Sequence, residues 1–161
     1  MSIKNLKPCS GNSGGYKQGY FKVMNPDKYL GDPNKVIFRS SYEKKFATYC
    51  DNHPKVVKWA SEPFEIPYLA PDGKTRKYNV DFYVKIRYED GEFKHFIVEV
   101  KPKRKLEKPN APKRNITEAK MKKYYTVMKE WATNLAKFSA GKEYARQHGW
   151  EFLVVTEDYL F

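Results

Sequence analysis

Residues 77–101 read KYNVDFYVKIRYEDGEFKHFIVEVK, and this stretch decides the architecture. From 77 to 88, Tyr78, Val80, Phe82, Val84 and Ile86 recur at every second position. Asn79, Asp81, Tyr83, Lys85 and Arg87 fill the other parity, so the pattern is that of a strand with two unlike faces. Glu89-Asp90-Gly91-Glu92 is a hairpin connection. The partner strand, 93–101, has the centre FIVEV, apolar on both faces as an internal strand requires, and Pro102 stops it.

Upstream of this hairpin, 56–68 is strand material. Val56, Val57, Trp59, Phe64, Ile66 and Tyr68 carry it, with Pro63 and Pro67 marking a bend or edge. Before it, Tyr42, Phe46 and Tyr49 lie at helical spacing in 41–51, with Ser40 as N-cap and Pro54 beyond the end. Downstream, 102–114 is a loop of Lys, Arg and Pro. A long helix is predicted from near Ile116, capped by Asn115 with Glu118 as its partner. Gly141 divides that segment and Gly149 ends it. The last strand is 151–156, EFLVVT, and a helix leading into so apolar a strand is a crossover connection. The order is α-β-β-β-α-β, which predicts an α/β domain with a central mixed four-stranded sheet flanked by helices.

The chain has 161 residues, enough for one domain of ordinary size. Residues 1–35 read as a basic N-terminal arm whose tyrosines favour docking of 16–35, and 36–161 read as a single domain. No apolar run approaches the roughly 20 residues that span a bilayer, and the first residues lack the apolar core of a secretory signal. Cys9 and Cys50 make no disulfide framework or zinc site, which points to a reducing, soluble compartment. Lys and Arg number 31 against 19 Asp and Glu, a net charge of +12 that favours a polyanionic partner.

Asp81 and the Glu99-Val100-Lys101 triplet carry the chemistry. Glu99 and Lys101 are two apart and share a strand face, and the Asp90-Gly91 turn brings carboxylate 81 near carboxylate 99. Two acids in one place cost a fold stability, and a divalent cation reverses that sign. The competing reading of such a pattern is surface decoration; the placement of Glu99 inside FIVEV weighs against it. Glu43, at the edge of the first helix's apolar stripe, is a third site candidate. It is also spaced from Ser40 as a capping box, so both roles stay open. From Lys101 to Lys129 eleven basic residues face two acidic ones. Lys103, Arg104, Lys105, Lys113 and Arg114 are the candidate phosphate contacts in that run.

Phe38-Arg39-Ser40-Ser41-Tyr42-Glu43, Trp59-Ala60-Ser61-Glu62-Pro63, Tyr78-Asn79-Val80-Asp81-Phe82 and Val98-Glu99-Val100-Lys101-Pro102, in this order, resemble the PD-(D/E)XK nuclease superfamily. The nearer resemblance is to the branch holding the TnsA transposon endonuclease and the head-completion nucleases of large tailed phages. The resemblance implies a restriction-endonuclease-like core and a Mg²⁺- or Mn²⁺-dependent DNA endonuclease. In it, Asp81, Glu99 and the Val100 carbonyl hold metal, Lys101 is the catalytic lysine and Glu43 completes the site. Val80 stands where the superfamily motif has its proline, a backbone device and not a ligand. Glu62 and Glu65 lie between the motifs as supporting or structural groups. The setting it implies is the processing of DNA ends during phage head completion, with DNA and capsid portal or neck proteins as partners, no membrane, and a place in the virion and host cytoplasm. The alternatives are a non-catalytic DNA- or portal-binding virion protein that keeps the fold, and a transposase-type endonuclease subunit.

Overall fold

A computed structural model describes residues 18–160; residues 1–17 of the expected arm lie outside the described residues. In chain order the elements are β1 (Gly19–Tyr20), β2 (Ile37–Phe38), α1 (Ser41–Asn52), β3 (Val56–Ser61), β4 (Glu65–Leu69), β5 (Thr75–Asn79), β6 (Phe82–Arg87), β7 (Phe93–Val100), α2 (Glu118–Gln147), β8 (Glu151–Val155) and α3 (Glu157–Leu160). The main sheet has the order β3-β6-β7-β8. Its first two pairings are antiparallel and the last, β7 with β8, is parallel. Parallel neighbours cannot be joined by a tight turn, so α2 makes the crossover. This is the mixed four-stranded sheet that the alternation predicts.

Each face of the sheet carries a helix. On one side α1 buries Phe46, Ala47 and Cys50 against Trp59, Phe82, Val84 and Val98. On the other, the second half of α2 packs Ala145 and its half-buried neighbours against Ile97, Tyr78 and Val80. β4 and β5 form a separate hairpin sheet inserted between β3 and β6.

That insertion corrects the expectation of one continuous strand over 77–88. The chain bends at Val80-Asp81, where the Val80 N–H donates to the Phe64 carbonyl and the Glu62 N–H to the Asp81 carbonyl. Tyr78 and Val80 therefore join the core under α2, while Phe82 and Val84 join the core under α1. The residues read as one face are split between two.

Smaller departures have local causes. The stripe on α1 is Phe46, Ala47 and Cys50, and Tyr49 is exposed. Helix α2 is capped by Thr117, whose hydroxyl accepts from the Lys120 N–H at 3.3 Å. Asn115 instead takes a positive φ of 47° in the loop before it. Gly141 does not divide α2. The helix runs through it because this face lies so close to the sheet that a Cβ would collide with the Phe152 ring and the Tyr78 hydroxyl. Gly149, at φ +67°, follows the helix end as expected.

Residues 18–35 pack on the domain. β1 pairs with β2, Phe21 and Val36 are core residues, and the Tyr29 ring meets Trp59 edge-on at 4.8 Å. Buried Asp51, at the end of α1, ties the segment down by accepting from the Met24 N–H at 2.7 Å and the Asn25 N–H at 3.2 Å. Among the described residues no helix is long and apolar enough to cross a membrane.

Candidate active site

The bend at Asp81 and the end of β7 create the site. The last paired positions on this side are Phe82 with Val98, so one step further Asp81 stands opposite Glu99. Asp81 is locked there: its Oδ2 accepts from the Val100 N–H at 2.8 Å and from Lys101 Nζ at 3.2 Å. Lys101 Nζ also lies 3.2 Å from Glu99 Oε2. Glu99 is only 2 % exposed, and its Oε1 is buried with no hydrogen-bond partner. The hairpin thus brings together the two acids and the lysine that the spacing predicts.

Above them opens a cleft of about 760 Å³, whose lining includes Glu43, Arg39, Asn134 and Lys137 besides the three site residues. Glu43 arrives at the first turn of α1. Its Oε2 accepts from the Arg39 N–H at 2.7 Å and its Oε1 from the Ser40 hydroxyl at 3.0 Å, while Ser40 Oγ caps the Glu43 N–H at 3.1 Å. The cap and the cleft position occur together: the cap holds the carboxylate at the cleft wall. It reaches the N–H of Arg39, one residue before the one a capping box uses.

Glu43, Asp81 and Glu99 line this cleft beside one half-buried lysine, Lys101, and the crowding shifts Glu43 and Glu99. Burial and then the Asp81 charge push Glu43 up to about 7 and Glu99 up to about 8. Burial pulls Lys101 down, but Asp81 and Glu99 outweigh it and hold its pKa above the ordinary lysine value. Burial, and then Glu99 and Asp81, raise the Tyr78 phenol well above its usual range. Its hydroxyl donates to the Lys137 carbonyl at 3.0 Å.

Among the described residues no three His, Cys, Asp or Glu side chains group to hold a metal ion. The side-chain donors are the Asp81 and Glu99 carboxylates, and the Val100 carbonyl between Glu99 and Lys101 is the available third oxygen. All are hard donors suited to Mg²⁺ or Mn²⁺. The orphaned Glu99 oxygen and the surplus of negative charge over Lys101 are what a divalent cation would satisfy, so the residues present fit one.

Glu43 and Glu99 bind protons more tightly in the folded chain than in the unfolded one. Stability is fully present below the unfolded carboxylate range near 4.5 and is lost as pH rises through about 7 to 8. In EDTA the melting temperature is expected to fall between pH 5 and pH 8.5 by at least about 2–4 °C, the equivalent of about 1 kcal/mol for a chain of this size. Added Mg²⁺ should restore most of the loss at the upper end. A flat profile in differential scanning fluorimetry would contradict this account of the acids.

The predicted phosphate contacts divide. Arg104 and Lys105, on a 3₁₀ turn after β7, line the cleft. Lys105 also grips both carboxylate oxygens of Glu130 at 2.7 and 2.8 Å. Lys103 is turned to α3, with its Nζ 2.8 Å from Asp158 and its N–H donating to Glu157. Lys113 and Arg114 are exposed on the loop before α2 and are not part of the cleft wall. Glu62, one of the two acids between the motifs, pairs with Arg39 through Nε at 2.5 Å and a second nitrogen at 3.1 Å, fixing the guanidinium at the lip. Sequence reasoning missed Asn134 and Lys137. Their i, i+3 spacing is visible, but which face of α2 meets the cleft depends on Gly141.

Residues 53–157 match the family described as the TnsA-like endonuclease N-terminal domain. Over 143 residues, 88 % of this chain and 92 % of the other, the sequence is 36 % identical to the head completion nuclease of Enterobacteria phage T4.

Proposed function

The chain belongs to the TnsA-like endonuclease family, and from that premise we propose that it hydrolyses phosphodiester bonds in DNA with the Asp81–Glu99–Lys101 cluster, in the course of phage head completion. The observation that carries the chemistry is the buried Glu99 oxygen without a partner beside a second carboxylate. A fold that merely bound DNA would gain from losing that arrangement, which argues against the non-catalytic reading. The setting is supported by the reach of the likeness to the phage nuclease, which extends beyond residues 53–157, and this favours it over a transposase subunit.

Asp81, Glu99 and the Val100 carbonyl would hold Mg²⁺ or Mn²⁺. Such an ion supplies Lewis acidity toward a water and toward the phosphate oxygens. The protein's own groups do the rest. Lys101 stays an ammonium across the working range, so it donates hydrogen bonds to the attacking water or a non-bridging oxygen and does not act as a base. Asp81, fixed by the Val100 N–H, holds that ammonium in place. Glu43, poised near neutrality, exchanges a proton with water at the cleft wall. Arg104 and Arg39 offer the flanking phosphates their guanidinium groups, which suit phosphate geometry. Partners beyond DNA would be portal or neck proteins, and the protein would act in the host cytoplasm and in the virion.

The test is direct. Purified protein should relax or linearise plasmid DNA in 5 mM Mg²⁺, lose that activity in EDTA and regain it on adding Mn²⁺. Undiminished cutting in EDTA would overturn the metal assignment.

Glu43 gives a finer check. Glu43→Gln keeps one acceptor and gains a donor for the Ser40 hydroxyl, so its melting temperature should stay within about 2–4 °C of wild type. Its cleavage rate should fall at least about 100-fold, the lower end of what a lost proton-transfer group costs. Ser40→Ala should cost about 1 kcal/mol as a lost N-cap. If the Gln variant cleaves normally, Glu43 serves the helix alone.

A further inference from the structure

One stripe of α2 changes its role along the helix. Near the C-terminal end it is core: Ala145 is buried, Gly141 presses on Phe152 and Tyr78, and Phe138 is buried. In the middle, Lys137, Asn134 and Glu130 line the cleft. With about 100° per residue, the same line continues through Lys123, with Lys120 and Lys122 about 80° to either side. No residue of α2 before Phe138 is buried. The half-buried positions Met121, Tyr124, Met128 and Trp131 lie on a different side. On that side the Trp131 Nε1–H donates to the Leu106 carbonyl, in the loop after β7, at 3.3 Å. The stripe through Lys123 is left open to solvent.

The charge of this overhang is one-sided. Residues 118–129 hold Lys120, Lys122, Lys123 and Lys129 against Glu118 alone. Lys120, Lys122 and Lys123 are exposed, and no ion pair engages them among the described residues. Lys103 and Lys105, nearer the site, already hold Asp158 and Glu130. Among the described residues, exposed cations without an ion pair thus continue from Arg104 in the cleft to the helix beyond it, where Lys123 lies in line with the cleft wall.

We infer that the N-terminal half of α2 is a rail for the DNA duplex flanking the cut, with Lys123 and Lys120 on phosphates of one strand. The occupant is duplex DNA because the rail continues the cleft wall, is cationic and belongs to one unbroken helix. At ~1.5 Å per residue, Lys123 lies ~10 Å and Lys120 ~15 Å beyond Glu130 at the cleft lip. At ~3.4 Å per nucleotide that spans about three to four phosphates past the lip. This rests on the nuclease reading only in taking the cleft as the seat of the DNA.

The test measures binding without cleavage. Fluorescein-labelled duplexes of mixed sequence, 8 to 24 bp long, are titrated in EDTA and followed by anisotropy, with wild type, K120Q/K123Q and K120R/K123R. For the Gln pair, the shortest duplex that gives full affinity should be about 4 bp shorter than for wild type. On long duplexes its slope of log K against log salt should be shallower by about 1.8, at about 0.9 per phosphate lost. The Arg pair should restore both, and the shortest duplexes should bind wild type and the Gln pair alike. Single variants repeat the comparison if the pair melts early. An unchanged site size and slope, an equal loss at every length, or a change of oligomeric mass by sedimentation would each overturn the rail. The last would assign this face to a second copy of the chain. Protein that binds as expected yet never cuts DNA in Mg²⁺ would instead fault the nuclease reading and leave the rail standing.

Discussion

Asp81→Asn and Glu99→Gln are each expected to cut DNA at least about 1000-fold more slowly than wild type in saturating Mg²⁺, while holding duplex DNA with nearly unchanged affinity. Both carboxylates face the same point of the cleft, and each substitution removes a charged oxygen donor without changing shape. Removal of a single electrostatic stabiliser of a transition state costs about 100- to 1000-fold, and loss of a metal ligand adds loss of the ion itself. On the proposed reading, DNA affinity would come from lysines and arginines that neither variant touches. Plasmid nicking and a gel shift in EDTA measure the two quantities. Cutting within 10-fold of wild type by either variant would place the chemistry elsewhere.

The same variants separate function from stability. Glu99 has one oxygen near Lys101 and one with no partner, so its ionised form is the costly one. At pH 6 it is protonated, and Gln is a close mimic of that state. Between about pH 5 and pH 8 the folded wild type holds this proton while the unfolded chain has released it, so wild type loses stability across that window and Glu99→Gln does not. The Gln variant should therefore gain on wild type in melting temperature with rising pH in EDTA, and it should lose most of the wild type's stabilisation by Mg²⁺. A residue kept for folding would show the reverse.

The hairpin over 77–101 made most of this legible. Alternation with a turn at Asp90-Gly91 set the register, and the register set Asp81 against Glu99. FIVEV marked β7 as internal, and that is why Glu99 is buried and not decorative. What stayed hidden was long-range. The bend at Val80-Asp81 is held by the Glu62 N–H and the Phe64 carbonyl, from a segment whose alternation looked the same on either side of Pro63. The cap at Thr117 could not be told from one at Asn115, since both residue types cap well. Asp51 reads as an ordinary acid near a helix end. It is buried because residues 24–25 cross over it. Asn134 and Lys137 enter the cleft because Gly141 lets α2 approach the sheet, which a period of 3.6 does not report.

Lys101→Met is expected to lower the cleavage rate by about 100- to 1000-fold, and raised Mg²⁺ should not rescue it. Lys101 is the cation common to Asp81 and Glu99, 3.2 Å from an oxygen of each. Its raised pKa keeps it charged far above the pH of any assay, so its own protonation is the same from pH 5 to 9 and the pH dependence in that window belongs to the acids. Removing it leaves two facing carboxylates without their counter-ion. The metal-free protein should then melt lower than wild type at pH 8, and by less at pH 5, where the acids hold protons. Combining Lys101→Met with Glu99→Gln should cost less stability than Lys101→Met alone, because the two residues are coupled. Activity distinguishes two ways the lysine can act. A counter-ion that only tunes metal occupancy would be dispensable, or even inhibitory, once Mg²⁺ is saturating. A group that aligns the water or steadies phosphate charge would be missed at every metal concentration. The geometry favours the second, since the Val100 N–H and the Lys101 ammonium hold one Asp81 oxygen together and fix the ammonium toward the cleft. Lys101→Arg should recover the melting temperature more than the rate, because its planar fork cannot reproduce a point donor between two carboxylates. Full recovery of Lys101→Met in 50 mM Mg²⁺ would remove Lys101 from the reaction and leave it a structural cation.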